Sequence, residues 1–130
     1  MNILIAEDDL ASRKYLTKVL ERYGQVDGVI DGIEAVDFFL EKIETGETYD
    51  LVCLDIMMPR VDGYKALDAI RDIEEEFNTA KRSKVIMTSA LNELDQREPS
   101  KEHKHDGYLM KPIDISEMDD MLKKLGLIEA

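Results

Sequence analysis

The sequence contains a single cysteine and no long apolar run. One cysteine, Cys53, excludes an internal disulfide, and its position inside an apolar stretch predicts a buried thiol. No apolar run approaches the roughly 20 residues that a membrane-spanning helix needs, and no leader-like segment precedes the first apolar run. We therefore expect a cytoplasmic protein that makes no direct contact with a membrane.

Basic residues are outnumbered by acidic ones: the chain has 17 Lys and Arg but 29 Asp and Glu, so its net charge is −12. Such an acidic chain is poorly suited to direct binding of nucleic acid or anionic lipid. Hydrophobic residues at 44% and charged residues at 35% are typical of a folded globular protein. A chain of 130 residues is long enough for one domain with its own core. We expect one domain over residues 1–130, with protein partners.

Short apolar runs alternate with amphipathic segments along the chain. The runs at 2–6, 25–29, 51–55, 84–89 and 108–110 predict strands, and the segments at 10–23, 64–77 and 114–125 predict helices. A further helix is predicted between the cap residue Asp31 and the stop residue Gly46, and Gly24 and Gly126 are expected to stop their own helices. This β-α order predicts a parallel sheet with helices on both faces.

The polar segment 92–105 is the weak place in the pattern. It should contain the fourth helix, but only Leu94 is clearly apolar within it, and Pro99 would interrupt a helix at its middle. We therefore expect a fourth helix that is short, irregular or mobile.

Acidic residues follow two of the predicted strands. Glu7, Asp8 and Asp9 come directly after the first strand, and Asp55 ends the third. Carboxylates gathered at the carboxyl ends of parallel strands repel one another and lose hydration, so they are tolerated mainly when they hold a cation. An acidic run can also serve as the cap and first-turn charge of the next helix, which is the role expected for Asp9. The others predict a site for a hard divalent metal.

With these acids, five motifs resemble the receiver domain of two-component response regulators, in particular its single-domain, chemotaxis-regulator-like members. The motifs, in the family's order, are Glu7-Asp8, Asp55, Pro59 with Gly63, Ser89-Ala90 and Lys111-Pro112. Each motif is weak alone, but together they cover the whole chain. The resemblance implies a flavodoxin-like (βα)5 three-layer sandwich whose parallel sheet has the strand order 2-1-3-4-5.

The resemblance also implies roles for individual residues. Asp55 would be the phosphoacceptor, and Glu7, Asp8, Asp55 and the backbone carbonyl of Met57 would bind Mg²⁺, with Mn²⁺ as an alternative.

Three further residues complete the implied site. Lys111 would pair with Asp55 and then with the phosphoryl oxygens, and a cis peptide bond between Lys111 and Pro112 would aim its side chain. Ser89 would move its hydroxyl toward the phosphoryl group, and Tyr108 would be the switch aromatic that turns inward when it moves.

The implied function is a stand-alone switch in a phosphorelay. A sensor histidine kinase or a histidine phosphotransfer protein would donate the phosphoryl group to Asp55. The output would be a protein partner bound through the face of the fourth helix, fifth strand and fifth helix, or a phosphorylation-dependent homodimer, with no output domain. The protein would be no enzyme beyond self-catalysed phosphotransfer and self-dephosphorylation. The apolar Met57 and Leu91 beside the path of the hydrolytic water predict that this dephosphorylation is slow.

Two rival functions belong to other classes. Phosphatases that resemble the haloacid dehalogenase group also form an aspartyl-phosphate, but they carry a second acid two residues after the nucleophile, where this chain has Met57. A receiver-like scaffold would bind partners without phosphorylation, and the intact acidic cluster with Lys111 argues against it.

Overall fold

The structure is a computed structural model that describes residues 1–90 and 104–130. Within these ranges the strands are β1 (Asn2–Ala6), β2 (Gln25–Val29), β3 (Leu51–Asp55), β4 (Lys84–Ser89) and β5 (Gly107–Met110). The helices are α1 (Leu10–Leu20), α2 (Gly32–Glu44), α3 (Gly63–Glu76) and α4 (Ile115–Lys124). The predicted fourth helix falls on a segment outside the described residues, so α4 here is the helix that the sequence placed after the fifth strand.

The five strands form one parallel sheet in the order β2-β1-β3-β4-β5, which confirms the predicted topology. The central strands β1 and β3 are almost wholly apolar and buried, whereas the edge strand β2 carries Asp27 and is largely accessible. Strands covered on both faces need apolar residues at every position, while an edge strand does not. The composition of these strands therefore agrees with their central and edge positions, and the observed order makes the ends of β1 and β3 neighbours.

Successive residues of the central strands point to opposite faces and build two cores. On one face, Leu4 and Val52 pack with Phe39 of α2 and Ile70 of α3. On the other face, side chains from β1 and β3 pack with α1 and α4; they are Ile3, Ile5, Leu51, Cys53, Leu16, Leu20, Met118 and Leu122. Burial raises the pKa of the Cys53 thiol to about 12, as its place in this second core requires. The structure is thus the predicted sandwich of a sheet between two helical layers.

Aspartate begins each helix that the structure describes. Asp9, Asp31, Asp62 and Asp114 lie before α1 to α4, and each side chain accepts a hydrogen bond from a backbone N–H of the first turn. These caps satisfy amides that the helix itself leaves without partners. The role expected for Asp9 is therefore the one it has.

Helix ends match the prediction at Gly46 and Gly126, whose φ angles are 84° and 77°. The prediction for α1 was wrong, because this helix ends at Leu20 and not at Tyr23. Gly24 is not a left-handed stop: a Cβ there would lie 2.0 Å from the carbonyl oxygen of Met1. It is needed because the chain passes close to the N-terminal residue.

No helix in the described ranges is both long enough and apolar enough to span a bilayer.

Candidate functional site

Three carboxylates meet where β1 and β3 end. Glu7 directly follows β1, Asp55 is the last residue of β3, and the two strands are hydrogen-bonded neighbours. One carboxylate oxygen each from Glu7, Asp8 and Asp55 lies within 4.8 Å of the other two. Glu7 and Asp55 are buried, whereas Asp8 is exposed. The sheet thus brings together three acids that are up to 48 positions apart in the sequence.

Lys111, the residue after β5, reaches across this cluster. Its Nζ donates a hydrogen bond to Oδ2 of Asp55 at 2.9 Å and also makes an ion pair with Oε1 of Glu7. The peptide bond between Lys111 and Pro112 is cis, and the Lys111 N–H donates to the carbonyl oxygen of Ser89 at 2.7 Å. One ammonium group therefore pairs with two carboxylates that lie at the ends of two different strands.

The pKa values of these groups are shifted in opposite directions. Burial, and next the neighbouring Glu7 carboxyl, raise the pKa of Asp55 to about 7, although Lys111 opposes the rise. Burial also raises the pKa of Glu7, but its contacts with Asp55 and Lys111 outweigh burial and hold that pKa below its ordinary value. Burial lowers the pKa of Lys111, and the two carboxylates more than reverse this. Two acids and one base therefore leave a negative charge that is only partly compensated.

The cluster fits a hard cation such as Mg²⁺. Oδ1 of Asp55 is buried and has no hydrogen-bond partner among the residues that the structure describes. An unpartnered, buried carboxylate oxygen is costly in a protein but is a suitable ligand for a divalent ion. Asp8 supports this assignment, since partial burial and then Glu7 raise its pKa, as expected for an acid that lacks a counter-charge. The loop after Asp55 contains Met57, whose side chain is exposed.

Ser89 and Tyr108 lie beside the cluster. Ser89 ends β4 and is fully buried, and its Oγ is hydrogen-bonded to the hydroxyl of Tyr108 on β5. The Tyr108 ring packs against the core formed with α2 and α3. The two residues that the resemblance coupled are thus in direct contact.

A cleft of about 420 Å³ opens next to Lys111, between α1 and the residues that follow β5. Its lining is mostly apolar and includes Tyr15, Pro112 and Ile113. The Tyr15 hydroxyl donates to the carbonyl oxygen of Ile113 at 2.7 Å and so fixes one wall of the cleft. The cleft is a mostly apolar surface that leads to the charged cluster.

The sequence analysis missed two contacts that shape the site. Arg13 of α1 donates from Nη1 to the carbonyl oxygen of Glu7 at 2.9 Å. Arg60, in the loop between β3 and α3, makes an ion pair with the buried Asp31. Asp31 was predicted only as a helix cap. No local pattern marks the second role, because its partner lies 29 residues away.

Comparison with known proteins identifies relatives of the whole chain. The family profile described as "Response regulator receiver domain" matches residues 3–123. The chain is 35% identical to sporulation initiation phosphotransferase F of Bacillus subtilis, over 94% of this chain and 90% of that protein. It is 33% identical to histidine protein kinase 1 of Candida albicans, over 97% of this chain but only 5% of the kinase.

A solved structure agrees with the fold. The receiver domain of the sensor histidine kinase PA1611 from Pseudomonas aeruginosa superimposes with a TM-score of 0.77 and 27% sequence identity. The match covers 95% of this chain and 94% of the receiver domain. That structure has a magnesium ion coordinated in the active-site cleft.

Proposed function

The chain belongs to the response regulator receiver family, and on that basis we propose that it is a phosphorylation-controlled switch whose phosphoacceptor is Asp55. The observation that carries the proposal is the state of this carboxylate. Its Oδ2 is held by Lys111, its buried Oδ1 has no hydrogen-bond partner among the described residues, and the carboxylate belongs to a group of acids suited to a cation. One oxygen is thus available to the cation, and the other is held by an ammonium group that can move.

The proposed reaction is the transfer of a phosphoryl group from a phosphohistidine. Oδ2 of Asp55, from which Lys111 withdraws, attacks the phosphorus, the P–N bond breaks, and the imidazole leaves with the bonding electrons and takes a proton from water. Lys111 moves its ammonium group from the carboxylate to a phosphoryl oxygen, since both positions lie within reach of one flexible side chain. Glu7, Asp8, Asp55 and the carbonyl of Met57 would hold Mg²⁺, which supplies positive charge for the phosphoryl oxygens.

Ser89 and Tyr108 would register the modification. The Ser89 hydroxyl donates to a phosphoryl oxygen, and the existing hydrogen bond to Tyr108 transmits this change to β5. A partner that binds β5 and the neighbouring helices then encounters a different surface. A phosphorylation-dependent homodimer is the alternative output, and the acidic charge favours protein partners over nucleic acid.

The phosphoryl donor in this proposal is a histidine kinase or a histidine phosphotransfer protein. The cleft beside Lys111, with the apolar Pro112 and Ile113, gives such a donor a surface next to Asp55. Two relatives support this choice by their names, a phosphotransferase of sporulation and a histidine protein kinase. Residues 1–130 would form one receiver domain that acts in the cytoplasm. Its chemistry would be limited to phosphorylation and slow dephosphorylation of the protein itself.

The test is phosphorylation by a small donor. Protein with acetyl phosphate and Mg²⁺ is expected to gain the mass of one phosphoryl group, whereas Asp55→Asn gains none; Glu47→Gln, an exposed acid, is the matched control. A gain that persists in Asp55→Asn would show that the phosphoacceptor is another residue. If a phosphohistidine donor also left the wild-type protein unmodified, a scaffold function would replace this proposal. Rapid release of phosphate from simple phosphate esters would instead indicate a phosphatase.

A further inference from the structure

The loop that follows Asp55 is attached to the rest of the protein at defined points. The N–H of Gly63 donates to the carbonyl oxygen of Ile56 at 2.9 Å, which closes the loop at its base. The Ile56 N–H donates to the carbonyl oxygen of Thr88 at 2.9 Å and so fixes the first end of the loop to β4. The residues between these points, with Met57 among them, need other contacts to be held.

Arg60 provides one such contact, and its geometry is unusual for a surface residue. Its backbone has a φ of 67°, in the left-handed region that residues with a Cβ rarely adopt. Its side chain is 59% exposed, yet Nε lies 3.1 Å from Oδ2 of Asp31, and the terminal Nη2 contacts the same oxygen. An exposed guanidinium thus reaches back over its own loop to a carboxylate whose side chain is only 3% exposed.

Asp31 is fixed on its own side of the contact. Its Oδ1 accepts the N–H of Glu34 at 2.9 Å as the cap of α2, so its two oxygens serve two different elements. Burial raises the pKa of Asp31, but the capping amide of Glu34 and the guanidinium of Arg60 outweigh burial, so the pKa is lowered overall. The charged Asp31 therefore provides a rigid anchor for Arg60.

The backbones of the two loops also touch. A Cβ on Gly32 would lie 2.3 Å from the carbonyl oxygen of Val61, so only glycine allows this approach. The end of β2, from which this loop leads to α2, is bonded to the acidic cluster, because the Glu7 N–H donates to the carbonyl oxygen of Val29 at 3.0 Å. The Arg60–Asp31 contact and the Gly32–Val61 contact therefore connect the loop after Asp55 with the strand end that carries Glu7.

From this geometry we infer that Arg60 and Asp31 are positioning residues for the metal site: their ion pair holds the loop so that the carbonyl of Met57 faces the carboxylates of Glu7, Asp8 and Asp55. The inference rests on the proposed function, since it deepens the same site. Neither residue touches the metal or the phosphoryl group. Their effect is exerted through the backbone of the loop, as outer partners of metal ligands commonly act.

The direction in which metal affinity changes when Arg60 is replaced distinguishes a positioning role from a through-space electrostatic effect. Removing the positive charge of Arg60 near a cation site would, through space, strengthen divalent metal binding. Loss of a positioning contact would weaken it. We expect Arg60→Ala and Arg60→Gly to weaken Mn²⁺ and Mg²⁺ binding by roughly tenfold. Arg60→Gly is the safer variant for folding, because glycine adopts a positive φ without strain.

The experiment measures metal binding without phosphorylation. Free Mn²⁺ is followed by electron paramagnetic resonance, and Mg²⁺ by competition, for wild type, Arg60→Ala, Arg60→Gly, Arg60→Lys, Asp31→Asn and the double variant Asp31→Asn/Arg60→Ala. Asp31→Asn keeps a capping side chain, so its circular dichroism in EDTA should match that of the wild type. Arg82→Ala is the matched control, because Arg82 is similarly exposed at 67% and pairs with Glu74, away from the metal site.

We expect metal affinity to fall equally in Arg60→Ala and Arg60→Gly and to recover partly in Arg60→Lys. The double variant should bind metal no more weakly than whichever single variant, Asp31→Asn or Arg60→Ala, has the lower affinity. Unchanged or tighter metal binding in Arg60→Ala and Arg60→Gly would overturn the inference, as would fully additive effects in the double variant. If wild-type protein bound no divalent metal, the proposed site itself would be wrong. If it bound metal and accepted a phosphoryl group while the Arg60 variants behaved normally, only the positioning role would fail.

Discussion

Lys111 Nζ lies 2.9 Å from Oδ2 of Asp55, although 56 residues separate the two positions in the sequence. The contact joins the end of β3 to the residue that follows β5. It occupies one oxygen of Asp55 and leaves the other without a partner in the described part of the chain. An asymmetric environment of this kind suits a carboxylate of which one oxygen binds a cation while the other reacts.

Replacement of Lys111 should separate phosphorylation from metal binding. In Lys111→Met no ammonium group can move onto the phosphoryl oxygens, so we expect phosphorylation by acetyl phosphate to slow by roughly a hundredfold. Mg²⁺ binding should persist, because the three carboxylates remain and a competing cation is gone. The rate is measured by intact mass against time. Lys81→Met, at an exposed lysine that pairs with Asp50, should retain the wild-type rate. A normal rate in Lys111→Met would contradict the assigned role.

The raised pKa of Asp55 predicts a pH-dependent stability of the metal-free protein. Because this pKa rises from 3.8 to about 7 on folding, the folded state between these values binds a proton that the unfolded chain has released. The free energy of unfolding therefore falls as pH rises through this window. Asp55→Asn removes this component, so in EDTA the free energy of unfolding of the variant should gain on that of the wild type by roughly 4 kcal/mol between pH 4 and a pH above 7, because one pKa unit corresponds to about 1.4 kcal/mol. Urea unfolding at several pH values measures the difference. A difference that does not vary with pH would contradict the prediction.

The hydrogen bond between Ser89 and Tyr108 should be measurable as a coupling energy. Ser89 is fully buried, so Tyr108→Phe leaves its hydroxyl without this partner. We expect each single variant, Ser89→Ala and Tyr108→Phe, to be less stable, and the double variant to show a coupling of about 1 kcal/mol in the free energy of unfolding. Tyr23→Phe, which removes a hydroxyl bonded to Asp119, is the matched control and should add independently to Ser89→Ala. A coupling near zero would mean that the two hydroxyls do not interact in solution.

Replacement of Arg71 should lower the free energy of unfolding far more than replacement of Arg82. Its guanidinium is buried on α3 and donates to Glu74, to Asp106 and to the carbonyl oxygens of Ser83 and Lys104. Arg71→Ala leaves the buried Glu74 without its nearest counter-charge and should cost roughly 3 kcal/mol or more of the free energy of unfolding. The exposed Arg82→Ala should change it by no more than about 0.5 kcal/mol. Denaturant unfolding compares the two, and equal losses would refute the assignment.

The lifetime of the phosphorylated protein tests the residues beside the proposed water path. Met57 is exposed and apolar, so its side chain cannot orient a water molecule toward the phosphoryl group; Leu91, its predicted counterpart, lies outside the described residues. Replacing both with Asn should shorten the lifetime by at least roughly tenfold, since polar groups can position the attacking water. The decay is followed by intact mass after removal of the donor. The same two residues changed to Val should leave the lifetime long, and an unchanged lifetime in the Asn variant would refute the idea.

Much of the fold and of the acidic cluster could be predicted because both follow from local patterns. Apolar runs of strand length predicted the sheet, and the acids, Ser89 and Lys111 at the ends of four of these runs predicted the edge at which these residues meet. The end of α1 could not be predicted, because Gly24 is required by the close approach of the Met1 backbone and not by the end of the helix. The Arg60–Asp31 pair could not be predicted either, since nothing near either residue indicates the other.

The amino-acid sequence by itself determined which residues carry charge, where strands and helices begin, and that acids stand at the ends of β1 and β3. It did so because hydrophobic periodicity and capping act over a few residues. Only the tertiary structure decided which oxygen of Asp55 is held by Lys111, how far its pKa rises, and that an exposed Arg60 reaches the buried Asp31. Those properties depend on burial and on distances between elements far apart in the chain, and the chain sets these only when the sheet assembles.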